Sequence, residues 1–128
     1  MSALAPWLLS VLRIVTALLY IPHGTSKIFG FPRAGSGATV ELYSLLGLAG
    51  SLEMVGGALI LVGLFTRPVA FVLSGEMAFA YFMAHAPRNL HPMLNQGELP
   101  ILFCFIYLYL AFAGAGPLSL DRLRKKTP

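Results

Sequence analysis

Three ionisable side chains stand inside long apolar stretches of this chain: Arg13, Glu53 and Glu76. An unpaired charge at mid-bilayer costs about 3 kcal/mol on insertion scales, so such groups face a protein interior and find partners there. Arg13 and Glu76 lie at similar distances from the same end of their segments, which predicts an ion pair between them. Glu53 lies slightly further along, and is expected to complete a triad or to carry a proton. Two acids beside one arginine leave a net negative charge or one exchangeable proton, and either suits proton-coupled redox chemistry or transport. A purely structural clamp between helices is the competing reading.

The other polar groups gather around these. At about 100° per residue, Arg13, Thr16, Tyr20, His23, Gly24 and Lys27 fall on one stripe of a helix, although Pro22 can rotate its outer part. A polar stripe along an apolar helix lines a pocket or a seam. Further on, Leu102, Phe105, Tyr109 and Phe112 share a face with Glu98, and an aromatic face below a carboxylate suits a flat ring with polar edges. Core packing explains such a stripe equally well. His23 and Glu98 are placed to hold and protonate the oxygens of a ring ligand, with Lys27 and Asn95 close by. Haem or metal ligation by His23 and His85 is set aside, because His85 falls on the opposite side of its helix from Glu76.

These residues have to be positioned by elements that composition identifies. The chain has 128 residues, 57% hydrophobic and only 11% charged, with nine Lys or Arg, five Asp or Glu, and a formal net charge of +4. Too few charges remain to coat a soluble globule of this size, which excludes a disordered chain and an ordinary cytosolic enzyme domain. Arg122, Arg124, Lys125 and Lys126 carry most of the net charge in a short tail. No basic surface with interleaved aromatics exists for nucleic acid, and the tail reads as a cytoplasmic anchor against anionic lipid. With Cys104 as the single cysteine, no internal disulfide, CxxC pair or zinc knuckle can form.

Crossing a bilayer takes about 20 mostly apolar residues in a helix. Four stretches meet this, at about 5–26, 40–64, 68–86 and 99–118, followed by the basic tail at 121–128. The breaks are the turn-rich Gly30–Gly37 segment, Thr66-Arg67-Pro68 with proline as a helix starter, and a proline-containing loop ending at Asn95, a candidate cap. Short connections make successive helices antiparallel neighbours. The expected fold is therefore all-α, a single integral membrane four-helix bundle of up-down topology. The first stretch lacks a basic leader and is expected to be retained as a helix. Loop charges favour both termini in the cytoplasm.

The motifs R-I-V (Arg13) and I-P-H-G-T-S-K (His23 to Lys27), then E-M-V-G-G-A-L-I-L-V-G-L-F-T-R (Glu53 to Arg67), N-Q-G-E-L (Asn95 to Leu99) and G-A-G-P-L-S-L-D (Gly114 to Asp121) resemble the DoxX family of small four-helix membrane proteins. The resemblance covers about residues 10–121. It implies a bacterial inner-membrane protein associated with oxidoreductase systems, among them quinone-linked subunits of thiosulfate:quinone oxidoreductase and proteins tied to catechol and quinone stress. No flavin motif or redox cysteine is present, which counts against independent thiosulfate oxidation.

Together these observations give an expected function: binding a quinone or small aromatic, and taking part in quinone/quinol redox with a partner protein. His23, Glu98, Glu53 and Glu76 are the candidate catalytic groups. Arg13, Tyr20, Lys27, Asn95, Phe105 and Tyr109 are the candidate substrate contacts. A non-catalytic membrane adaptor for a redox complex is the alternative, as is a small-molecule or proton transporter, which would need a second copy of the chain.

Overall fold

The computed structural model describes residues 3–30, 44–95 and 97–125. Among them the structure is helical throughout, with no strand. Helix α1 spans Ala5–Phe29 and begins with Pro6, where a missing N–H costs nothing. It ends at Gly30 (φ 73°), whose N–H closes on the Ser26 carbonyl. Helix α2 spans Leu45–Val62; the Ser44 hydroxyl accepts from the Gly47 N–H at 3.0 Å and so satisfies one of the free donors of the first turn. Helix α3 spans Thr66–Ala80 and runs on through a π-helical turn, Tyr81–His85, and a 3-10 turn, Ala86–Arg88. A short α4 (Pro92–Asn95) leads into α5 (Glu98–Ala113), and α6 (Leu120–Lys125) closes the described chain.

Two of the expected spans are long and apolar enough to cross a membrane, Ala5–Phe29 and Thr66–Arg88. The other two, α2 and α5, are shorter apolar helices of 18 and 16 residues. At about 1.5 Å per residue they reach roughly 27 and 24 Å, somewhat short of a hydrocarbon layer of about 30 Å. The fourth helix thus stops before the expected boundary at residue 118. Gly114 (φ 88°) and Gly116 (φ 83°) take a left-handed conformation there, and Pro117 cannot continue a helix. Proline does not open the third helix either, which starts two residues earlier at Thr66. Most of the Gly30–Gly37 loop, Gln96 and Lys126 lie outside the described residues.

Packing is pairwise and close. Along α1 and α2 the contacts step in opposite directions: Arg13 reaches Leu61, Ile21 meets Gly57, and Gly24 meets Gly50 and Met54. A Cβ on Gly24 would stand 2.6 Å from the Gly50 carbonyl oxygen, so glycine sets the separation of these helices. Helices α3 and α5 pair in the same manner, with the Ser74 hydroxyl donating to the Cys104 carbonyl at 2.8 Å. Tyr20, Ile60, Leu73, Met77, Phe103, Tyr107 and Leu110 form the shared core.

The outer surface is apolar. Val15, Leu18, Leu19, Phe71, Phe79, Phe105 and Phe112 are all exposed, far beyond what a water-soluble monomer tolerates in contiguous patches. Polar groups are turned inward instead, with Ser10, Arg13, Thr16, Glu53 and Ser74 buried. This inside-out arrangement matches a hydrocarbon surround, in which unsatisfied polar groups are the costly ones.

Candidate functional site

At one end of α1, the buried guanidinium of Arg13 donates to three main-chain carbonyls, those of Ala115, Leu118 (2.6 Å) and Leu61 (3.3 Å). The expected ion pair with Glu76 is therefore absent, and Arg13 is no member of an acid triad. The cause lies in α5. By ending at Ala113 it leaves carbonyls in the 114–118 segment that no helix satisfies, and these need donors. Ser10 joins the same clamp, accepting from the Leu118 N–H at 3.1 Å and donating to the Ala115 carbonyl at 3.2 Å.

Asp121 serves the neighbouring helix start. Its carboxylate accepts from the N–H groups of Phe65 (2.8 Å) and Thr66 (2.9 Å), which cap α3 from a distant part of the chain. Burial pushes the Asp121 carboxyl up, but the hydrogen bonds from Thr66 and Phe65, helped by the Arg124 charge, outweigh it and hold the group below the usual carboxylate range.

The second polar centre lies toward the other end of α1. Lys27 donates to both oxygens of Glu53, at 2.7 and 2.9 Å, and Glu53 is 1% exposed while Lys27 is 31% exposed. The lysine stem runs along the packed helix face and carries the ammonium to the acid. Tyr20 donates its hydroxyl to Glu76 Oε1. The carboxyls of Glu53 and Glu76 are neighbours, so two acids share one ammonium. The cluster is one positive charge short of neutral unless it holds a proton.

Aromatic rings wall this centre. Tyr20 meets Phe103 edge-on at 5.2 Å and Tyr107 at 5.0 Å between centroids, and His23 meets Phe103 at 5.9 Å. The Tyr107 hydroxyl is buried with no hydrogen-bond partner among the described residues. A cavity of about 100 Å³ opens beside Glu53, bordered by Tyr20, His23, Lys27, Met77 and Phe103. Its size admits a few waters or a single ring, well under the roughly 300 Å³ of a drug-sized pocket.

Several expected contacts lie elsewhere. Phe105 and Tyr109 are 62% and 58% exposed, on the outer face of α5, and the inward face is Phe103, Tyr107 and Leu110. Glu98 is exposed at the first turn of α5, and the cavity is bordered there by Leu99 and Pro100 instead. Asn95 ends α4, and the N-cap of α5 is Gly97 instead. His85 stacks on Tyr81 with centroids 6.4 Å apart, away from His23. Glu98, exposed at the helix start, does not mark the buried face of α5, which carries Phe103 and Tyr107 instead of the expected Phe105 and Tyr109. Phe103, Tyr107 and Leu110 repeat the i, i+4, i+7 spacing of Phe105, Tyr109 and Phe112, so periodicity alone does not separate the buried face of α5 from the exposed one.

An all-helical chain with a lipid-compatible exterior and an acid-lysine-tyrosine cluster inside is a small membrane protein with an internal polar site. The chain belongs to the DoxX family, whose model matches residues 8–86. An uncharacterised protein of Haemophilus influenzae is 44% identical over 122 residues, covering 91% of this chain and 90% of that relative. The inner membrane protein YqjF of Escherichia coli is 33% identical over 122 residues, covering 91% of each. The Bacillus subtilis protein named "Putative oxidoreductase CatD" is 25% identical over 118 residues, covering 87% of this chain and 82% of its own. No solved structure matches the chain.

Proposed function

We propose that this protein is an up-down four-helix bundle of the bacterial inner membrane, with both termini cytoplasmic, that binds the head group of a quinone or small aromatic and takes part in quinone/quinol redox with a partner protein. The observation that carries the reading is the neighbouring pair Glu53 and Glu76, served by Lys27 and Tyr20, of which Glu53 borders a ring-walled cavity. Lys27 and His23 supply donors for carbonyl oxygens, and edge-on Phe103 suits a flat ring. The inner-membrane name of YqjF and the oxidoreductase name of CatD support the same placement.

Converting a quinone to its quinol takes up two electrons and two protons. Among the described residues no three His, Cys, Asp or Glu side chains converge as a ligand set, and Cys104 has no second cysteine to form a redox pair, so the electrons are assigned to the partner. The chain's own residues handle protons and position. Lys27 and His23 orient the ring oxygens. Glu76 receives a hydrogen bond from Tyr20 and exchanges protons with Glu53, so that a proton leaving the cluster has a route to the bound oxygen.

The test is equilibrium binding of a short-chain quinone to the purified protein in detergent. Wild type is expected to saturate, with His23→Ala and Glu53→Gln weakening binding about tenfold, the loss of roughly one charge-assisted hydrogen bond. No saturable binding, with partner recovery intact, would leave a non-catalytic adaptor as the correct account.

A further inference from the structure

The Arg13 end of the molecule holds a second, much larger concavity. An open groove of about 910 Å³ lies between the start of α1, the α2–α3 turn and α6, far from the Glu53 cavity. Arg67, Arg122 and Arg124 border it, and Asp121 is its single acid. Asp121 is engaged with the N–H groups of Phe65 and Thr66 and stands 3.9 Å from the Arg124 guanidinium, so the first turn of α3 is capped from within, and three arginines against one acid leave the groove net cationic. Two of them are held in place. Arg67 donates to the Phe112 carbonyl and lies against Gly114, where a Cβ would stand 3.1 Å from its guanidinium. Arg124 lies over the Phe65 ring at 4.5 Å.

One wall of the groove leads out of it onto lipid-facing surface. Tyr109 borders the groove and is 58% exposed, and Phe112 and Phe105 continue the outer face of α5 at 75% and 62%. Cations at the end of an apolar helix surface, followed by a run of exposed rings along it, present phosphate-binding chemistry above a bed for an acyl chain. A free phosphate or a soluble acid uses only the first of these features.

We propose that this groove is a binding site for an anionic phospholipid, with the headgroup phosphate held by Arg122 and Arg124 beside Arg67, and an acyl chain along Tyr109, Phe112 and Phe105. The site is separate from the proposed redox cavity, and the two readings fail independently.

Native mass spectrometry of the purified protein, exchanged into micelles doped with phosphatidylglycerol or phosphatidylcholine, tests it. Wild type is expected to retain phosphatidylglycerol in preference. The double variant R122A/R124A is expected to lose roughly 30-fold of that preference, about fivefold for each arginine near a membrane surface. R122K/R124K, which keeps the charge, is expected to retain most of it, and Arg88→Ala at the other end of the molecule to retain all of it. Equal retention of the two lipids overturns the proposal, as does an equal loss in Arg88→Ala. Displacement of the lipid by inorganic phosphate at matched concentration overturns it too, by showing an ion site without a lipid component. Should R122A/R124A fail to fold, the lysine pair and the phosphate competition still decide.

Discussion

The guanidinium of Arg13 donates to the carbonyl of Ala115 across 102 residues of chain, joining the first helix to the segment that follows the last long one. This contact sets the role of the most deeply buried cation among the described residues. Arg13 is 1% exposed, and its partners are main-chain carbonyls instead of a carboxylate. Its charge is therefore spent on closing the fold, and the acids remain available to Lys27 and Tyr20.

Arg13→Ala is expected to destabilise the protein by about 3 kcal/mol or more, because carbonyls near Ala115 and Leu118 lose a charged donor in a buried place. Thermal unfolding in detergent measures it. The double variant with Glu76→Gln should be additive within about 0.5 kcal/mol, since the two side chains share no partner. A large coupling between them would restore the ion pair that the geometry denies.

Asp121→Asn is expected to cost about 1 kcal/mol at neutral pH, the value of a helix cap. The folded carboxyl titrates below an unfolded aspartate. Its contribution is thus complete above about pH 4, the ordinary aspartate value, and is lost as pH falls through the lower folded value. Melting curves across that range should show wild type converging on Asp121→Asn only in acid.

Two glycines in helices should respond oppositely to alanine. At Gly24 a Cβ meets the Gly50 carbonyl and the Met54 N–H at 2.6 and 2.9 Å, both backbone atoms that cannot step aside. Gly24→Ala is expected to cost about 1–3 kcal/mol and to loosen Lys27 from Glu53. Gly75, with nothing within 4 Å, should gain about 0.5–1 kcal/mol from alanine.

The two faces of α5 separate cleanly. Phe103→Ala is expected to cost about 3–5 kcal/mol, and Phe105→Ala to stay within about 0.5 kcal/mol. Neither Phe105→Ala nor Glu98→Gln should alter quinone affinity, since both side chains stand outside the cavity. Melting temperature and the binding titration read these together.

Membrane character and the inward polar stripe of α1 were legible in the sequence, because scarce charges and a 3.6-residue period leave few alternatives. The partners were not. Depth along a helix paired Arg13 with Glu76, but depth ignores the reach of a lysine stem, which brings Lys27 from the helix end down to Glu53. It also ignores main-chain carbonyls, which carry no residue signature and claim Arg13. The end of α5 was marked by Gly114, Gly116 and Pro117, yet hydropathy alone carried the expected span through to Leu118. The two expected aromatic contacts, Phe105 and Tyr109, failed for a related reason: one exposed acid was made to stand for the orientation of a whole helix.

Infrared difference spectroscopy of the carboxyl C=O region, recorded on adding a short-chain quinone to the purified protein, tests the central claim most directly. The account predicts that binding perturbs a carboxyl band and that Glu76→Gln and Glu53→Gln each remove or shift the change, while Glu98→Gln leaves it intact. A quinone that binds with no change in this region, or with a change that survives both Glu53→Gln and Glu76→Gln, would contradict it.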